Sequence, residues 1–91
     1  MIDEISATEK QARGARADAL LQNELLTDAF KYLDSEYIAA WRRTSVRDTE
    51  AREKLWQAVQ IVALVQDHLK KFVADGKIAT KDLASIKYLK P

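Results

Sequence analysis

The chain has no cysteine, which excludes disulfides and thiolate metal sites and fits a reducing compartment. It has one histidine, His68. Metal sites of the di-iron bundle type need Glu-x-x-His pairs with further inward carboxylates, but Val65 stands three residues before His68. His68 is therefore expected to be a partly buried, hydrogen-bonded helix residue. No serine lies in a glycine-flanked elbow, and "GARADALL" has too few glycines for a phosphate loop. No catalytic, cofactor-binding or metal residue is assigned. The chain reads as a non-enzyme with no cofactor and no small-molecule substrate.

Long apolar runs are also missing. The longest is Ile61–Val65, far below the ~20 residues that a membrane-spanning helix needs. The start, MIDEISATEK, is polar with early acids, unlike a secretory signal. These features predict a protein that does not enter membranes. Neither charge sign dominates: 15 basic residues stand against 14 acidic, a formal +1. A dedicated polyanion binder needs a clearer excess. The balance is uneven along the chain, since residues 70–91 carry Lys70, Lys71, Lys77, Lys81, Lys87 and Lys90 against Asp75 and Asp82.

Helix breakers are scarce as well. There is one proline, Pro91, and only two glycines, Gly14 and Gly76. Ala, Leu, Glu, Lys, Gln and Arg dominate what remains, a helix-forming composition. At 91 residues the chain makes one domain at most. An isolated copy would bury only ~60–65% of its unfolded surface, so assembly is a natural source of added stability.

The expected fold is all-α: a long antiparallel helical hairpin (20–43 with 49–74), an N-terminal helical extension (1–19) and a short C-terminal helix (80–89). The extension is rich in alanine, and Gly14 inside it costs ~1 kcal/mol relative to alanine. Leu26, Phe30, Leu33, Tyr37 and Trp41 recur at three- and four-residue steps and form one stripe of the next helix. Asn23 is suited to cap that helix, although the two segments could equally fuse into one rod. Thr44 to Asp48 breaks the pattern. Ser45 or Asp48 can cap the helix that follows. Arg42 and Arg43 suit the negative end of the helix they close, while Glu50 and Glu53 suit the positive end of the next.

The third segment carries two stripes. Leu55, Val59, Val62, Leu69 and Val73 form one; Ile61, Leu64, Val65, His68 and Phe72 form the other. One partner helix cannot cover both, so the second stripe points to a homo-oligomer. Gly76 in "ADGK" is placed to end the segment in a left-handed cap, and Thr80 to open the last helix, with Leu83, Ile86 and Leu89 inward. A short loop near Val46 requires antiparallel neighbours. In that register Trp56 faces Tyr37 and belongs to the core, whereas Trp41 lies opposite Ala51 and Arg52 and is the more exposed tryptophan.

The candidate protein-interface residues are Trp41, Ile61, Leu64, Val65 and Phe72. The candidate nucleic-acid contacts are Arg42, Arg43 and Arg47 at the turn, and Arg13 and Arg16, which continue a basic edge from Lys10. Arginine forks bind phosphate well. Helix-end charge and i,i+4 pairs, Asp48 with Arg52 and Glu50 with Lys54, account for the same residues at the turn. DNA is thus admitted but not favoured as a partner.

Residues 36–79 carry a further pattern: Trp41-Arg42-Arg43-Thr44, then Asp48-Thr49-Glu50-Ala51-Arg52-Glu53, Leu55-Trp56, His68-Leu69 and Gly76-Lys77-Ile78-Ala79. In this it resembles a family of small helical proteins of tailed phages and prophages, encoded near head and packaging genes and mostly without assigned function. The resemblance covers roughly half the chain and transfers no active-site residue. It implies a phage assembly or virion structural protein that contacts itself and another phage protein, located in the cytoplasm of the bacterial host or in the virion. Two rivals are a DNA-packaging oligomer similar to a small terminase subunit and a phage-encoded inhibitor or regulator of a host protein.

Overall fold

A computed structural model describes the backbone of residues 4–89 and the side chains of residues 6–86. The described residues form three helices, α1 (Glu4–Gln22), α2 (Glu24–Arg43) and α3 (Thr49–Leu89), and no strand. The chain is all-α. It divides into two compact units: α1 with the part of α3 from His68 onward, and Asn23–Asp67.

Asn23 resolves the choice between a break and a rod. Its backbone is extended, with φ −73° and ψ 117°. Its side-chain Oδ1 accepts from the Leu26 N–H at 3.0 Å, which satisfies one of the N–H groups left open at a helix start. The Thr27 hydroxyl donates to the Asn23 carbonyl at 2.9 Å. The first helix therefore runs to Gln22 and a new one starts at Glu24.

In the Asn23–Asp67 unit, five residues join α2 to α3. Asp48 caps α3: its Oδ1 accepts from the Ala51 N–H at 3.1 Å, and its carbonyl accepts from the Arg52 N–H at 3.1 Å. The Ser45 hydroxyl instead supports the turn by accepting from the Arg47 N–H at 3.3 Å. The residues of α2 nearest the turn meet those of α3 nearest the turn. The Arg52 guanidinium lies 4.0 Å from the centre of the Trp41 ring. Among the described residues, Val62 is the one buried apolar residue of this unit, and no residue of α2 is fully buried. Of the expected stripe, Leu26, Phe30, Tyr37 and Trp41 are half-buried, whereas Leu33 is exposed.

The other unit departs from expectation. α3 does not stop at Gly76, and no separate helix begins at Thr80: residues 76–89 continue the same 41-residue helix. No described glycine has a positive φ, so Gly76 is not a left-handed cap. Its use is close packing. A Cβ on Gly14 would sit 2.8 Å from the Phe72 carbonyl oxygen and 2.9 Å from the Gly76 Cα, and a Cβ on Gly76 would sit 3.0 Å from the Gly14 Cα. The two glycines of the chain meet backbone to backbone, where a side chain on either would force the helices apart. Ala7, Ala17 and Ala79 are buried in the same unit. Thr80 lies within the helix: its hydroxyl donates to the Gly76 carbonyl at 2.9 Å and accepts from Gln11 Nε2 of α1 at 3.0 Å. α1 is thus packed against α3. The inward role expected of Leu89 lies outside the described residues.

Candidate protein interface

The second stripe of α3 is only partly covered. Ile61 is 58% exposed, Leu64 54% and Val65 45%. Successive helical residues are 100° apart, so Leu64 points almost opposite the buried Val62. The fourth apolar member, Phe72, is half-buried with the Arg13 guanidinium 4.4 Å from its ring centre. His68 is exposed rather than partly buried. The register that would turn it inward needs a second partner helix on its face.

Large apolar groups are poorly covered elsewhere too. Among the described residues no large side chain is fully buried.

At the turn the two tryptophans differ in an unexpected sense. Trp56, placed in the core by the register argument, is 54% exposed, while Trp41 is half-buried. Trp41 is held by a small network. The Thr44 hydroxyl donates to the Trp41 carbonyl at 2.6 Å and accepts from Arg52 Nη1 at 3.0 Å. That holds Arg52 over the indole, a cation–π contact. Arg52 therefore does not bridge to Asp48, whose carboxylate is occupied by the cap. Glu50 and Lys54 do pair, at 3.1 Å, both well exposed. Ile38, Trp41, Arg42, Trp56 and Val59 line a mostly apolar cleft of about 250 Å³. A cleft of this size accepts one aromatic or aliphatic anchor side chain, with Arg42 available to a carboxylate beside it.

The candidate nucleic-acid residues fall into two groups. Arg42, Arg43 and Arg47 are all exposed around the turn. Arg13 and Arg16 are exposed on α1, where Arg13 is engaged with Phe72. Among the described residues no cluster of His, Asp and Glu could hold a metal ion, and no helix is long and apolar enough to cross a membrane.

Sequence reasoning missed the Gly14–Gly76 crossing and the Gln11–Thr80 bond. A signal was present: Gly14 with Ala17, and Gly76 with Ala79, repeat small residues three apart, as helices that touch closely require. No family model matches the chain, and neither a curated protein nor a solved structure matches it.

Proposed function

We propose that this chain is a non-enzymatic assembly protein that acts by helix-to-helix contact, first with copies of itself and then with another protein. The supporting observation is the outward face of Ile61, Leu64 and Val65 on a helix whose opposite side already holds the core. The resemblance of residues 36–79 to small phage proteins supports a phage assembly or virion setting.

The magnitudes favour a weak contact through this face alone. Half-exposed aliphatic side chains have about 1–1.5 kcal/mol each still to gain on burial. Three from each of two copies contribute roughly 6–9 kcal/mol before an association cost of about 4–15 kcal/mol. At most about 5 kcal/mol remains, a Kd of roughly 0.2 mM or weaker through this face alone. Sedimentation velocity over a concentration series reaching about 1 mM should show mass action, and I61D/L64D should shift the equilibrium to monomer while circular dichroism stays helical. A strict monomer across the series would overturn self-assembly. Mass spectrometry of purified virions tests the setting: peptides of this chain at stoichiometric level support a structural component. Their absence, with a host protein captured instead, supports the regulator reading.

A DNA-packaging role draws support from the exposed Arg42, Arg43 and Arg47 at one turn. It requires retention of duplex DNA that falls steeply with salt, because phosphate contacts release counterions. No retention at low salt would remove it.

A further inference from the structure

Beyond the α3 face, the chain carries a second concave surface. In the α1 unit a groove of about 610 Å³ runs beside the helix contact. Leu20, Leu69 and Phe72 supply apolar groups, and Lys10, Arg13 and Arg16 line it with charge at three-residue steps. Glu9 is the one acid among its lining residues. Arg13 is held over Phe72, so a cation is fixed beside the apolar floor. A groove of this kind fits an acidic amphipathic helix. The cations accept carboxylates, and the floor accepts the aliphatic or aromatic groups between them.

The chain carries such a helix face. On α2, Leu25 is 81% exposed and Tyr32 70%. They are seven residues apart, two turns, and so share one face about 10.5 Å long. Asp28 lies between them and Glu36 one turn beyond, and all four are exposed. Lys31 is the one cation lining the shallow depression beside Tyr32. The groove's cations, Lys10 to Arg16, span about 9 Å along α1. Asp28 and Glu36 are about 12 Å apart along α2, a span that the long Lys10 and Arg16 side chains can reach, and the two surfaces match in apolar content and in opposite charge.

We infer that the α1 groove receives the Leu25–Glu36 face of α2 from a second copy of this chain. A nucleic acid would meet the cations but leave Leu20, Leu69 and Phe72 without apolar partners and would face Glu9. Groove and face are different surfaces, so the contact is heterologous. Copies joined this way add head to tail until a ring closes or a filament grows. The inference does not depend on Ile61, Leu64 or Val65.

Charge reversal tests it in the full chain by sedimentation velocity. K10E/R16E breaks the groove and spares Arg13 on Phe72; D28K/E36K breaks the face. Each should weaken assembly at least tenfold with helicity retained, and the four-fold variant K10E/R16E/D28K/E36K should restore it, because both surfaces are then reversed together. The neutral variant K10Q/R16Q should weaken it less than K10E/R16E. Wild-type assembly in both two-fold variants, or no restoration in the four-fold variant, overturns the inference. So does wild-type assembly of K10E/R16E with loss of duplex DNA retention, which would assign the groove to nucleic acid. I61D/L64D separates this contact from the proposed function: if it abolishes assembly while charge reversal leaves it intact, only the α3 contact stands.

Discussion

Where α1 meets the far part of α3, backbones touch; where α2 meets the near part of α3, large side chains stand between them. Gly14, Gly76, Ala7, Ala17 and Ala79 make the first contact. Val62, with the half-buried Leu26, Phe30, Tyr37 and Trp41, makes the second. The first depends on the absence of Cβ atoms at Gly14 and Gly76. The second packs larger side chains and leaves aromatic and aliphatic groups half-covered. One unit is sensitive to an added methyl group and the other to a removed one. The incomplete cover of the second leaves surface for partners.

The sharpest way to break that contrast is at Gly14. Gly14→Ala in an ordinary exposed helix would stabilise by ~1 kcal/mol. Here the new Cβ meets the Phe72 carbonyl at 2.8 Å and the Gly76 Cα at 2.9 Å, and backbone atoms cannot rotate away. Overpacking of this kind costs about 1–3 kcal/mol, occasionally more. Gly14→Leu should cost about 3 kcal/mol or more and release α1 to proteolysis, and Gly14→Ala should still be net destabilising. Urea denaturation measures both. A Gly14→Ala protein more stable than the parent would mean the helices do not cross there.

Val62→Ala tests the other unit with the opposite change. It deletes two methyl groups at a buried position, and the transfer and cavity terms together amount to about 2 kcal/mol. Amide hydrogen exchange should rise in α2 and in the near part of α3. Equal loss of protection in α1 would show that the two units unfold as one.

Arg52→Ala comes next in size. It removes the cation over Trp41 and the bond to the Thr44 hydroxyl. A partly exposed cation–π contact is worth about 0.5–1 kcal/mol and a hydrogen bond about 1 kcal/mol. A loss near 1–2 kcal/mol and a red-shifted Trp41 emission are expected, read in a Trp56→Phe background. Arg52→Lys should recover only part, because an ammonium lacks the planar fork that stacks and bonds at once. Full recovery with lysine would reduce the site to simple charge.

How far the sequence disclosed this molecule follows the same division. The α2 stripe was readable because large apolar residues at helical spacing have one interpretation. Asn23 and Asp48 were readable because short polar side chains at a helix start have a defined hydrogen-bond use. Gly76 was not. A glycine followed by lysine near a helix end has the same local signature whether it caps the helix or admits a neighbour. Only the position of Gly14, 62 residues away in sequence, decides between them. Trp56 failed for a related reason: a facing register says which residues are near the partner helix but not whether two helices can enclose an indole. For the candidate interface, the exposed Ile61, Leu64 and Val65 followed from counting two stripes against one partner. The α1 groove did not, because its floor comes from Leu69 and Phe72 on another helix.

The smallest expected effect is at the exposed pair beside the turn. Glu50 and Lys54 are 3.1 Å apart with both side chains well over half exposed, and such i,i+4 pairs contribute about 0.3–0.5 kcal/mol. Glu50 has a second role, since it is the acid in the first turn of α3, where the helix end favours negative charge. Glu50→Gln should therefore cost more than Lys54→Gln, both by less than about 1 kcal/mol, and both losses should shrink in 0.5 M salt, where surface charges are screened within about 4–5 Å. Equal losses would mean that only the pair matters. A larger loss for Lys54 would mean that its aliphatic stem packs on the helix, and the charge at this turn would then have to be read as packing rather than electrostatics.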